Sequence, residues 1–170
     1  MIRQISTGEI TDAGLRPQSF AIQRGEAEAE TAQFQRDLAR LAFKRGNASR
    51  SAPLARETQD MQSFLFQMAY EVPNMAGIGS QIEVSVTNAR KVYKYQFKYI
   101  GEEQLRMPFG EVRTVHLLSA ASNPEDSYEM WLAPDYFYLP MRLKFYLGKF
   151  PVEQRATRIS SKAGPPADKP

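Results

Sequence analysis

"IEVSVTNARKVYKYQFKYIGEEQLRMPFGEVRTVHLLSA", residues Ile82 to Ala120, decides the fold. Ile82, Val84 and Val86 alternate with Glu83, Ser85 and Thr87, the period-two pattern of a half-buried strand. Asn88 and Ala89 lead into a second alternating run. It sets Tyr93, Tyr95, Phe97 and Tyr99 on one face and Val92, Lys94, Gln96, Lys98 and Ile100 on the other. "EEQLRM" and "EVRTVHLLSA" are then joined by "PFG", with Pro108 and Gly110 as turn formers. Strands separated by turns this short pair antiparallel.

Downstream, "SYEMWLA" and "MRLKFYL" flank a corner, "PDYFYLP", in which Pro134 and Asp135 suit the centre of a turn. Pro140 denies its strand one ladder hydrogen bond and belongs at a strand start or edge. "VEQRATRIS" follows a turn near Gly148 and Lys149, and residues 161–170 read as a disordered tail. Upstream, "MIRQIST" reads as a strand, and Gly14 and Pro17 read as turn formers before a run from Ser19 to Gln23. Ala32 to Arg45 reads as a hairpin with its tip near Asp37 and Leu38, although the Ala, Glu and Leu content also suits a helix. Gly46 to Ala55, small and polar, reads as a loop.

One helix is expected. "TQDMQSFLFQMAYEV" places Met61, Phe64, Leu65, Met68, Ala69 and Val72 on a single stripe, with Thr58 as N-cap, Asp60 in the first turn and Pro73 ending it. Phe66 lies off the stripe, towards a neighbouring element. Many short-linked strands and one helix predict a mainly β fold: a curved antiparallel sheet, an open half-barrel, packed around an amphipathic helix. At 170 residues the expectation is one domain over 1–160.

Composition narrows function. The chain has no cysteine and one histidine, His116, which excludes thiolate and multi-histidine metal sites and a cysteine nucleophile. His116 sits mid-strand among apolar residues as a structural histidine, and no Gly-x-Ser-x-Gly elbow accompanies it. No catalytic residue, metal or cofactor is therefore expected. The formal charge of +3 is dispersed, and Lys94 and Lys98 point away from the rings of their own strand, against a nucleic-acid stacking platform. No apolar run is long enough for a transmembrane helix, and "MIRQISTGEI" lacks the apolar core of a secretory signal.

The tract Trp131, Leu132, Ala133, Pro134, Asp135, Leu139, Pro140, Arg142, with "GEITDAGLRPQSF", "TQDMQSFLFQM", "GEEQLRMPFGEVRTVHL" and "VEQRATRI", resembles the DUF3108 family of exported bacterial proteins of unknown function. The resemblance runs over about Ser6 to Ile159. Trp-Leu-x-Pro followed by Leu-Pro-x-Arg is also similar, on that one motif, to the half-barrel periplasmic lipoprotein carriers and sigma-factor regulators. These resemblances imply a periplasmic or envelope location and an open curved sheet with an apolar ligand cavity. They also imply that Met1 is an internal start, since the family's export signal and earlier strands do not precede it here. The strand at Ile2 to Ser6 would then lack a neighbour.

The expected function is a non-enzymatic envelope protein binding an apolar or lipid-like ligand. Tyr93, Tyr95, Phe97 and Tyr99 would form its wall, Phe64 and Met68 its lid, and Trp131 and Tyr136 its rim. The expected partners are a hydrophobic small molecule or lipid, and an envelope protein. Two alternatives stand beside it: an interaction module in which the same rings are ordinary core, and a small cofactor-free enzyme on the same fold.

Overall fold

The computed structural model describes residues 1–147 and 149–160. Most of them are in strands, with one α-helix, as the alternating patterns predict. The first five strands, β1 (Ile2–Thr11), β2 (Gly14–Arg24), β3 (Glu30–Gln35), β4 (Arg40–Arg45) and β5 (Ala48–Pro53), form an antiparallel meander in sequence order. The other strands are β6 (Gln59–Asp60), β7 (Gln81–Thr87), β8 (Val92–Met107), β9 (Gly110–Ser119), β10 (Tyr128–Ala133), β11 (Leu139–Leu147) and β12 (Phe150–Arg155). They are ordered β12-β11-β10-β9-β8-β7-β6 in a curled sheet of half-barrel type. The helix α1 spans Ser63–Glu71, and no helix among the described residues is long and apolar enough to cross a membrane.

The chain folds as two compact units: Met1–Gln67 with Glu83–Tyr95, and Met68–Ile82 with the chain from Gln96 onward. The first has a core of Phe20, Ile22, Ala32, Leu41 and Phe43 with Leu54 and Ala89. In the second, Leu105, Met107, Val112, Trp131, Ala133 and Met141 form one buried cluster.

Five local expectations need correction. The strand at Ile2–Ser6 does not lack a neighbour, since β1 pairs antiparallel with β2, Ile2 opposite Arg24 and Ser6 opposite Phe20. Asp60, not Thr58, caps α1: its Oδ1 accepts from the Ser63 backbone N–H at 2.9 Å while the Asp60 N–H donates to Ser63 Oγ at 2.9 Å, a reciprocal capping box. Residues 48–53 are a strand, which hydrogen bonds to β4 hold despite its lack of apolar alternation. Pro17 lies inside β2, where register slips between Thr7 and Gly8. The runs around Tyr95 and Leu105 form one 16-residue strand, interrupted by a bulge between Tyr99 and Gly101. The β3–β4 hairpin stands as a hairpin, its tip a 3₁₀ turn over Arg36–Leu38. The expected turn at Gly148 and the tail at 161–170 lie outside the described residues.

In the first unit the turn after β7 is fixed to the sheet through Glu30. This carboxylate is buried and meets Arg24 at 3.2 Å, Arg45 at 3.7 Å and the Arg90 guanidinium in a two-point hydrogen-bonded pair. Hydrogen bonds from Arg90, helped by Arg24, hold the Glu30 carboxyl below its usual value of 4.5 against the opposing pull of burial. Because the folded pKa is the lower one, this stabilisation is complete above about pH 4.5 and disappears as pH falls through the folded value. Glu30→Gln should therefore destabilise the protein at neutral pH by about 1–3 kcal/mol. Urea unfolding at stepped pH should show that difference shrinking below pH 4.5.

Candidate functional site

The residues expected to line a ligand site fall in several places. In the first unit, Tyr93 and Tyr95 stack with centroids 5.8 Å apart, and Tyr95 stacks on Phe64 at 6.3 Å. Phe64 and Tyr95 are buried, and Tyr93 is half-buried with its hydroxyl oxygen accepting from Asn88 Nδ2 at 3.2 Å. In the second unit Phe97 and Met68 are fully buried. Phe97 meets Tyr128 edge-on at 6.1 Å, and Tyr128 stacks on Phe145 at 5.2 Å. Tyr99 is half-buried, and burial together with Glu102 pushes its phenol above the usual value.

Register separates Trp131 from these second-unit rings. Directly paired residues share a sheet face, and the pairs Tyr99–Leu117 and Leu117–Met130 put Phe97 and Tyr99 on the Met130 side of the sheet. Trp131 faces the other way, paired with His116 and Arg142. The imidazole of His116 lies parallel to the indole, 4.3 Å away, and the Arg142 guanidinium lies 4.7 Å from the ring centroid. The indole Nε1–H donates to Glu103 Oε2 at 2.6 Å. His116 Nε2 pairs with Glu129 Oε2 at 2.9 Å, and Arg142 forms a fork with both Glu153 oxygens at 3.0 and 3.1 Å. His116 thus places one face on Trp131 and one nitrogen on Glu129. Tyr136 packs against the same cluster and meets Phe109 edge-on at 6.2 Å. Among the described residues no group of three or more His, Asp or Glu side chains is placed to hold a metal ion.

A cleft among the described residues is lined by other side chains. In the first unit a cleft of about 440 Å³ lies where β1 and β2 meet the start of α1. Its apolar lining includes Ile5, Ile10, Leu15, Pro17 and Phe66, and its polar lining includes Gln4, Ser6, Gln62 and Ser63. Ile10 is 87% exposed, Phe66 53% and Ile5 44%. The walls are tied by side chains. Ser6 Oγ donates to Asp60 Oδ2 at 2.6 Å, and Gln62 hydrogen-bonds Gln4. Leu15 gives its N–H to Gln67 Oε1 at 2.7 Å and accepts from Gln59 Nε2 at 2.9 Å, so two glutamine amides do the work of a neighbouring strand. Gly14 permits this approach: it has φ +96°, and a Cβ there would collide with the Gln67 amide. Of these residues the sequence marks only Phe66, by its place off the helical stripe.

The corner between β10 and β11 is backbone architecture. After a 3₁₀ turn at Pro134–Tyr136, Phe137 and Tyr138 both take φ of 56°, and the Tyr138 N–H donates to the Ala133 carbonyl at 2.8 Å. A left-handed conformation costs a side chain roughly 1–2 kcal/mol, which glycine avoids. Phe137 is exposed, so Phe137→Gly should be more stable than Phe137→Ala by about 1 kcal/mol in denaturant unfolding. The reverse order would show that the left-handed backbone is not what the corner requires.

A family model described as "Protein of unknown function (DUF3108)" matches residues 1–149. No curated protein and no solved structure matches the chain. With the match covering most of its length, the chain belongs to the DUF3108 family.

Proposed function

We propose that this protein is a non-enzymatic binding module for an apolar or lipid-like group, held in the cleft between β1, β2 and α1. The observation that carries the reading is the combination in that cleft of exposed Ile5, Ile10 and Phe66 with a hydrogen-bonded polar lining. Its volume of about 440 Å³ is within the ordinary range of small-ligand pockets, roughly 300–1,000 Å³. Exposed side chains of this kind leave apolar surface that a ligand would remove from water, at about 25 cal/mol per Å². The bacterial envelope is the proposed location, on the family resemblance drawn from the Trp131–Arg142 tract.

A second reading, an interaction module with a filled core, is favoured by the complete burial of Phe64, Met68 and Phe97. The two readings separate experimentally. With N-phenyl-1-naphthylamine as a fluorescent probe, Ile10→Ser and Phe66→Ser should each weaken binding severalfold and leave the unfolding midpoint nearly unchanged. Phe97→Ala should instead cost about 3–5 kcal/mol of stability. Probe affinity unchanged in both serine variants would remove the cleft from consideration and leave the filled-core module.

A further inference from the structure

The first unit carries a second feature that the apolar cleft does not use. Two further clefts, of about 280 and 510 Å³, share Phe43, Arg50 and Arg90 in their lining. Lys44 and Arg45 line the smaller one, and Lys91 and Lys94 the larger. All six cations are exposed at the surface. The one carboxylate in either lining, Glu30, is buried and already shared among Arg24, Arg45 and Arg90. Six cations and one carboxylate give the two linings a formal charge of +5, more than the +3 of the entire chain. Charge is therefore concentrated here and not merely scattered.

Arg50, Arg90 and the turn that carries Lys91 are also held in place. Asn88 Oδ1 accepts from the backbone N–H groups of Arg90 and Lys91 at 2.9 and 3.0 Å. Thr87 Oγ1 accepts from the Ala89 N–H at 3.2 Å and donates to the Lys91 carbonyl at 3.0 Å, closing the turn around Ala89 at φ +69°. Arg50 lies 5.5 Å over the Phe43 ring and donates to the Arg90 carbonyl. A guanidinium fixed in this way has lost much of its rotamer freedom before an anion arrives.

We propose that these adjacent clefts bind the phosphate headgroup of an acidic phospholipid, with Arg50, Lys91 and Lys94 meeting the phosphate and Arg90, paired to Glu30, adding its charge beside them. The planar Arg50 guanidinium suits phosphate oxygens, and the apolar lining from Ala52, Pro53 and Val92 suits the glycerol and acyl end of such a molecule. A nucleic acid would want open rings beside the cations, whereas Phe43 is buried beneath Arg50 and the half-buried Tyr93 is stacked on Tyr95 and capped by Lys91 at 4.2 Å. This assignment is independent of the apolar cleft, since none of its residues lines that cleft.

The test is co-sedimentation of the whole chain with phosphatidylcholine vesicles, with and without phosphatidic acid. A triple variant, Arg50→Gln, Lys91→Gln and Lys94→Gln, is compared with a control triple of equal charge change at exposed sites elsewhere: Arg3→Gln, Arg56→Gln and Arg158→Gln. The expected result is binding that requires phosphatidic acid, falls at least tenfold in the first triple and changes less than twofold in the control. Circular dichroism confirms that both triples stay folded. Equal loss in the two triples, equal binding to neutral vesicles, or binding of inorganic phosphate without binding of phosphatidic acid vesicles would each overturn the proposal.

Discussion

One inserted residue, Ile100, governs how the second unit uses its longest strand. Before it, Phe97 and Tyr99 face the side of Leu117 and Met130; after it, Glu103, Leu105 and Met107 face the side of Val112 and Trp131. A strand without the bulge would send all of these odd-numbered side chains to one face, since a one-residue slip moves every later side chain across the sheet. The indole hydrogen bond to Glu103 and the packing of Leu105 and Met107 near Trp131 both depend on this crossing. The insertion therefore gives the sheet two apolar faces, so that β10 buries Met130 and Leu132 on one side and Trp131 and Ala133 on the other.

The first unit solves a different problem. Its hairpin β1–β2 is joined to α1 by Ser6–Asp60, Gln4–Gln62 and the two glutamine amides at Leu15. Polar side chains satisfy the backbone without filling the space between these elements as a run of leucines would. The cleft lined by Ile5, Ile10 and Phe66 follows from that choice.

The strand alternation and the helical stripe were legible in the sequence because burial imposes periodicity on each. β5 was not, because "ASRSAP" lies mostly exposed and carries no period for burial to impress. The helix start was misplaced because Thr58 and Asp60 are both capping types, and the reciprocal bonds between Asp60 and Ser63 decide between them. The bulge was signalled only by Gly101, a residue tolerated at many strand positions. The cleft was least legible of all. Ile5 and Ile10 lie on β1 and Phe66 on α1, and their convergence is a tertiary fact that local pattern cannot carry.

We propose a division of labour, in which Tyr95 and Phe97 of β8 are core and the open apolar surface at β1, β2 and α1 receives a ligand. Residue-resolved NMR during titration with a medium-chain fatty alcohol tests it most directly. Chemical-shift changes are expected to concentrate at Ile5, Ile10, Leu15 and Phe66, with Phe97, Tyr128 and Trp131 unmoved. Saturable shifts at Phe97 and Tyr128, with the first set unmoved, would contradict it and place the ligand behind the ring row.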